Sequence, residues 1–196
     1  MVLTPTPLPG VLVIELAPLV DERGFFAVGF SRTVFGERGL NPHVEQLNVS
    51  YNAAEGTLRG LHYQRAPFEE AKTVRCVRGA AFDVVVDLRP DSPTYCQWFG
   101  VELNAENRRA LYVPEGVAHG FQTLAERTEV IYAVSAPYTP SHAAGVRWDD
   151  PLFRIDWPAA AHRTIHARDR AYPDFVPVEH ATRVIEGRPK AGETRS

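Results

Sequence analysis

An arginine, a histidine and a lysine stand on two neighbouring extended segments, Thr57-Leu58-Arg59-Gly60-Leu61-His62-Tyr63-Gln64 and, after a short loop, Ala71-Lys72-Thr73. Such a set suits an anionic substrate whose carbonyl group makes a neighbouring C–H acidic. Arg59 and Lys72 would answer the negative charge, Lys72 could hold an enolate oxygen, and His62 could take the proton near neutrality. Taken singly, each has an ordinary alternative: a hydrogen-bonded histidine, a solvated lysine, a surface arginine in an ion pair. Strict strand alternation sets Arg59 and His62 on opposite faces. They can share one pocket only if the strand bends or bulges, and Gly60, between them, is the residue type that marks bulges.

Other residues extend the set. In Glu45–Tyr51 the side chains of Gln46, Asn48 and Ser50 share one face and Leu47, Val49 and Tyr51 the other, so the polar face meets either solvent or a polar cavity. In Ala80–Leu88 both faces are largely apolar, which predicts burial on both sides. Asp83 would there need a partner, with His119 or Lys72 the candidates, as a structural or a functional ion pair. His119, in Pro114-Glu115-Gly116-Val117-Ala118-His119-Gly120-Phe121, is a candidate for an anion or orienting contact. Tyr132 lies in an otherwise apolar strand, where a buried phenol needs a partner, and Tyr138 starts a loop that could cover a site. As isolated residues both tyrosines also serve as packing. No His-x-His occurs, so the metal site common in double-sheet β folds is not expected.

The elements that must carry these residues are short. Alternating runs separated by turn residues predict an all-β sandwich or barrel, with strands over Val11–Leu16, Phe25–Phe30, Glu45–Tyr51, Thr57–Gln64, Lys72–Val77, Ala80–Leu88, Tyr95–Leu103, Arg109–Val113, His119–Leu124 and Glu129–Ser135. Arg78-Gly79-Ala80 reads as a tight hairpin turn and Pro90-Asp91-Ser92-Pro93 as a longer one. Short helices are expected between Thr33 and Gly39 and from Ala159 to Arg163. From Val176 the chain turns polar, so residues 1–175 read as a single domain and 176–196 as a loosely ordered tail.

The 196 residues, 44% hydrophobic, suffice for one well-buried domain. A formal charge of −3 gives no long-range attraction to nucleic acid or an anionic membrane. Neither a signal peptide nor a membrane span is evident. Two cysteines, Cys76 and Cys96, are too few for a disulfide framework or a zinc site, and a reducing cytoplasm is the expected setting.

In order, Asp21-Glu22-Arg23-Gly24-Phe25-Phe26, Gln46-Leu47-Asn48-Val49-Ser50, Leu58-Arg59-Gly60-Leu61-His62-Tyr63-Gln64, Lys72-Thr73-Val74-Arg75, Phe82-Asp83-Val84-Val85-Val86-Asp87-Leu88-Arg89, the segment from Pro114 to Phe121 and Arg147-Trp148-Asp149-Asp150-Pro151 closely resemble the dTDP-4-dehydrorhamnose 3,5-epimerase family. The resemblance runs from about Pro9 to about Phe175. It implies an all-β, cupin-like double-stranded jelly roll with a few short helices, a homodimer, no metal or other cofactor, and a dTDP-4-keto-6-deoxyhexose substrate. It makes His62 the base, oriented by Asp169 of Ala167-Arg168-Asp169-Arg170, with Lys72 at the C4 oxygen and Tyr132 as acid. Tyr138 would line the sugar and base pocket. Nucleotide and phosphate contacts would fall on Arg23, Phe26, Gln46, Asn48, Arg59 and His119, with Asp83 in support.

Two positions depart from the family's pattern. Phe26 is followed by Ala27-Val28-Gly29 where many members have a glutamate, and Glu70 stands where a glutamine is usual. The base is thereby less defined than the reaction. The expected activity is inversion at C3 and C5 of a nucleotide-linked 4-keto-6-deoxyglucose. The alternatives are an epimerase acting at one centre in another deoxysugar pathway, a non-catalytic sugar-nucleotide-binding jelly roll, and a metal-dependent cupin oxygenase.

Overall fold

The structure, a computed structural model, describes residues 1–178; nearly all of the polar tail expected from the sequence lies outside them. Its strands are β1 (Val2–Pro5), β2 (Leu12–Glu15), β3 (Leu19–Asp21), β4 (Gly24–Phe26), β5 (Gln46–Asn52), β6 (Thr57–Gln64), β7 (Lys72–Arg78), β8 (Ala80–Asp87), β9 (Trp98–Asn104), β10 (Ala110–Val113), β11 (Val117–Thr123), β12 (Thr128–Val134), β13 (Ala143–Gly145) and β14 (Thr164–Ile165). Two short helices, α1 (Arg32–Glu37) and α2 (Ala167–Arg170), complete the set. One sheet runs β1-β2-β10-β7-β12-β5, the other β13-β6-β11-β8-β9 with β14 attached to β6, and β3 pairs only with β4. Two facing sheets of this kind, almost wholly antiparallel, form the expected jelly roll.

Alternation explains what each face does. From the first sheet Val74, Cys76, Leu111 and Val130, and from the second Val85, Val117 and Phe121, point into the space between the sheets and close it as a core. The outer face of the second sheet is also covered, since Leu58, Leu61, Val84, Val86 and Ala118 pack beneath Val146, Phe153, Trp157 and Ile165. β8 is thus buried on both sides, as its composition demands. The inward rows continue past this core and change character: Lys72 follows Val74 on β7, Tyr132 follows Val130 on β12, and His119 lies between Val117 and Phe121 on β11. One end of the sandwich is apolar and filled; the other is polar and open.

Three local expectations need correction. Arg78-Gly79-Ala80 does not close a hairpin, because β7 and β8 belong to different sheets. It is a corner, in which Gly79 adopts φ +72° and a Cβ would collide with Thr128 Oγ1. No helix forms over 159–163. Gly56 instead draws this stretch onto β6, accepting from Thr164 N at 3.1 Å, and Arg163 bonds Gln122 and Pro158, so the chain stays extended into β14. The strand expected over Phe25–Phe30 ends at Phe26, which faces Leu19, the first residue of β3, its one partner among the described residues. The short strands β1, β3, β13 and β14 lack the alternation that would have announced them.

Candidate active site

The polar end of the sandwich is a cavity of about 1140 Å³. His62, Lys72, Tyr132 and Asp169 all line it, as do Gln46, Asn48, Arg59, His119 and Tyr138. Arg59 and His62 reach the same space because β6 bulges. His119 pairs with His62 and Phe121 with Arg59, so two residues of β6, Gly60 and Leu61, face the single Gly120. Gly60 has φ +116° and the Gly60–Leu61 peptide is cis. A Cβ on Gly60 would lie 2.6 Å from Gly120 Cα and 2.8 Å from His119 O. Glycine is therefore required where the sequence demands the bend.

Asp169 comes from far along the chain. β14 pairs in parallel with the start of β6, Thr164 with Thr57 and Ile165 with Leu58. The single turn of α2 follows, one of its first N–H groups capped by the His166 side chain, whose Nδ1 accepts from Arg168 N at 3.2 Å. This places Asp169 Oδ1 2.8 Å from His62 Nε2, while Oδ2 accepts from Gly60 N at 3.2 Å. The carboxylate therefore fixes both the imidazole and the bulge that presents it. Burial works to raise the Asp169 carboxyl, but the bonds from His62, Gly60 N and Arg168 together outweigh it and hold the group below the ordinary aspartate range. His62 Nδ1 makes no bond within the described residues.

Lys72 is 6% exposed. Its Nζ donates to His62 O at 3.2 Å and meets Glu70 Oε1 at 3.1 Å. Tyr132 stands opposite Val74 on β7 and Asn48 on β5. Burial pushes its phenol above the ordinary value, Arg59 pulls it back, and Glu70 pushes it up again. Among the described residues the Tyr132 hydroxyl has no bonded partner and no enclosed side-chain polar atom lacks one, so this hydroxyl opens onto the cavity. Arg59 is braced by Asn52, which accepts from its Nε at 2.7 Å. On β5 the polar row Gln46, Asn48 and Ser50 lines the cavity, while Leu47, Val49 and Tyr51 are exposed, Val49 and Tyr51 at the cavity's margin.

His119 Nε2 lies 3.0 Å from both oxygens of Asp83, which is fully buried. Of the two partners considered for Asp83, the fold provides His119. Arg23 and Phe26 do not join the cavity. They sit on the exposed β3–β4 hairpin, which pairs with neither main sheet, and with Asp21 and Phe25 they line a separate hollow of about 300 Å³.

Sequence reasoning missed three contributors. Arg168 Nη2 lies 3.4 Å from His62 Nε2 and its Nε 3.4 Å from Asp169 Oδ1; its place beside Asp169 was the available signal. The Tyr172 ring packs edge-on to His62 with centroids 6.3 Å apart and fills the space over Gly145. Gln64 accepts from Thr139 N at 2.6 Å and donates to Pro137 O at 3.2 Å, tying the loop that carries Tyr138 to β6. Among the described residues no three His, Cys, Asp or Glu side chains converge as a metal site, and no helix is long and apolar enough to cross a membrane.

Taken together, these groups can bind an anion, take a proton from carbon and stabilise the oxyanion that results. Proteins similar to this chain include several named dTDP-4-dehydrorhamnose 3,5-epimerase and others named as epimerases of related deoxysugars. The family model for dTDP-4-dehydrorhamnose 3,5-epimerase matches residues 5–176. A dTDP-4-dehydrorhamnose 3,5-epimerase from Salmonella typhimurium is 42% identical over 174 residues, 88% of this chain and 94% of that protein. The crystal structure of the enzyme of the same name from Elizabethkingia anophelis superposes with a TM-score of 0.87 at 38% identity, over 89% of this chain and 96% of that one. That from Bacillus anthracis, solved with TDP and PPi bound, gives 0.83 at 40% identity over 88% and 98%. The chain belongs to the dTDP-4-dehydrorhamnose 3,5-epimerase family.

Proposed function

We propose that this protein is an isomerase that inverts C3 and C5 of dTDP-4-dehydro-6-deoxyglucose to give dTDP-4-dehydro-L-rhamnose. The observation that carries the reading is the His62–Asp169 pair, 2.8 Å apart, in one cavity with Lys72 and Tyr132. In each inversion His62 Nδ1 takes the proton from the carbon beside the ketone. The C–H electron pair forms the C=C bond of the enolate, and the carbonyl π pair moves to O4. Asp169, ionised and bonded to Nε2, keeps that nitrogen protonated and stabilises the imidazolium that forms. Lys72 donates to O4 as its charge develops. Tyr132, whose phenol burial keeps protonated, returns a proton from the opposite face. Arg59 and His119 meet the phosphates, and Gln46, Asn48 and Tyr138 the sugar and base.

A homodimer accounts for two otherwise costly exposures. Leu47, Val49 and Tyr51 form an apolar face on the edge strand β5, and Leu19, Val20, Phe25 and Phe26 are exposed on the β3–β4 hairpin. In such a dimer the hairpin of one copy delivers Arg23 and Phe26 to the nucleotide end of the other copy's cavity. A cytoplasmic setting accords with two free thiols, of which Cys76 is buried and pushed up to about 11, too high to be reactive.

The test is product identity. Incubation with dTDP-4-keto-6-deoxyglucose, followed by chemical reduction and sugar analysis, is expected to give L-rhamnose and its C4 epimer from the protein and neither from His62→Ala. Recovery of D-sugars inverted at C3 alone, or of L-sugars inverted at C5 alone, would instead establish the single-centre activity. Recovery of unchanged D-sugar would refute catalysis.

A further inference from the structure

Glu70 and Lys72 lie two residues apart on an extended run, so their side chains leave the same face. The residue between them is pinned to the end of β12, since Ala71 N donates to Ser135 Oγ at 2.8 Å and Ser135 N to Ala71 O at 3.0 Å. Lys72 Nζ meets Glu70 Oε1 at 3.1 Å, with the two side chains 7% and 12% exposed, and both line the cavity. A lysine present only to stabilise an enolate is weakened by this arrangement. An anion against its ammonium opposes the negative charge that must develop nearby.

The unused atoms of the pair show what it can recognise. Lys72 has three N–H donors; one goes to His62 O, and the ammonium is ion-paired with Glu70, so a donor is left for a ligand. Glu70 Oε2 makes no bond within the described residues, and since no enclosed polar side-chain atom there lacks a partner, Oε2 is open to the cavity. The pair thus offers a donor and an anionic acceptor side by side on the cavity wall. Proton removal from C3 of a 4-keto sugar moves the C3–H electrons into a C3=C4 bond, the carbonyl π pair onto O4 and the proton onto His62. In the enediolate so formed, the charged O4 and the 3-hydroxyl lie side by side in one plane. One needs a donor and the other an acceptor. Proton removal from C5 gives a C4=C5 bond instead, flanked by a methyl group and with no hydroxyl in that plane.

We infer that Glu70 is a specificity-determining residue for the C3 half of the reaction, accepting the hydrogen bond of the sugar's 3-hydroxyl while Lys72 donates to O4. The inference rests on the epimerase reading above and narrows its substrate class to 4-keto-6-deoxyhexoses with a free 3-hydroxyl. A role limited to holding Lys72 would slow both inversions alike, because Lys72 serves both.

The experiment compares the parent protein, Glu70→Ala and Glu70→Gln with dTDP-4-keto-6-deoxyglucose in deuterated water, reading initial deuterium uptake at C3 and C5 by NMR. Glu70→Ala is expected to lose about tenfold or more at C3, the scale of a hydrogen bond to a charged group, and less than about threefold at C5. Glu70→Gln, whose amide oxygen still accepts, is expected to fall between Ala and the parent at C3. Equal losses at both carbons, an unchanged C3 rate in both variants, or a parent that exchanges C5 alone would each overturn the inference. If Glu70→Ala does not fold, the C3-to-C5 ratio of Glu70→Gln decides, a lowered ratio supporting the role and an unchanged one overturning it. A parent that exchanges neither carbon refutes the epimerase reading itself.

Discussion

Replacing Asp169 by asparagine separates the shape of the His62–Asp169 contact from its chemistry. Asparagine matches aspartate in size and has one acceptor oxygen and one donor nitrogen. The native carboxylate accepts on both sides, from His62 Nε2 at 2.8 Å and from Gly60 N at 3.2 Å. No orientation of the amide reproduces this. With its oxygen toward Gly60, its nitrogen donates to His62 Nε2 and drives the ring proton onto Nδ1, the atom that must receive the substrate's proton. With its oxygen toward His62, its nitrogen opposes Gly60 N, and the bulge loses its acceptor. Either way the charge that stabilises the imidazolium is gone. A hydrogen bond to a charged group contributes about 1.5–3 kcal/mol. With the wrong tautomer added, the barrier rises by about 3–4 kcal/mol, a loss of roughly 10²- to 10³-fold in rate. The assay is kcat and KM for the dTDP-4-keto sugar, with circular dichroism to confirm folding. A fall in kcat at nearly constant KM is expected. An Asp169→Asn protein within threefold of the parent kcat, or altered in KM alone, would refute the assigned role.

Three further outcomes are expected. Tyr132→Phe removes the reprotonating hydroxyl and leaves His62 intact, so deuterium exchange persists in part while inverted product falls; equal inversion and exchange would show that another group supplies the proton. Gly60→Ala sets a Cβ 2.6 Å from Gly120 Cα at φ +116°, so a destabilisation of about 2–4 kcal/mol is expected, which for a chain of this length lowers Tm by roughly 5–15 °C; a Tm within 2 °C of the parent, measured by scanning calorimetry, would mean the bulge is not tightly packed. Because the Asp169 carboxyl is held low in the folded state, its contribution to stability is complete above the unfolded value of 3.8 and is lost as pH falls below that through the folded value. Thermal melts across this range are expected to show the gap between parent and Asp169→Asn narrowing as the pH falls below 3.8, and a widening gap would contradict the sign of the shift.

The parts of the site legible in the sequence were those set by local rules. Alternation alone put Gln46, Asn48 and Ser50 on one face of β5, and the conflict between Arg59 and His62 located the bulge at Gly60. Side-chain type and order carried the resemblance that brought in Asp169, since nothing local ties residue 169 to residue 62; their meeting depends on β14 returning to β6. Tyr172 and Gln64 were missed for the same reason. Each acts through tertiary contact, a ring over Gly145 or an amide tying down a loop, and neither lies in a repeating pattern. The corner at Gly79 was mistaken for a hairpin because a glycine turn between two strands reads alike whether they pair or pass to opposite sheets. The Ala159–Arg163 segment has fair helical propensity, which was overridden by the bonds of Arg163 to Gln122 and of the following Thr164 to Gly56. Arg23 and Phe26 show the converse: their residue types fit a nucleotide site, but the fold of one chain sets them apart from the cavity.

The central claim, that one base in this cavity serves two carbons flanking a ketone, is tested most directly by incubating the protein with dTDP-4-keto-6-deoxyglucose in deuterated water and following C3 and C5 together by NMR. Deuterium is expected at both positions, and at neither in His62→Ala. Uptake that survives in His62→Ala at the parent rate, or no uptake by the parent at either carbon, would contradict it.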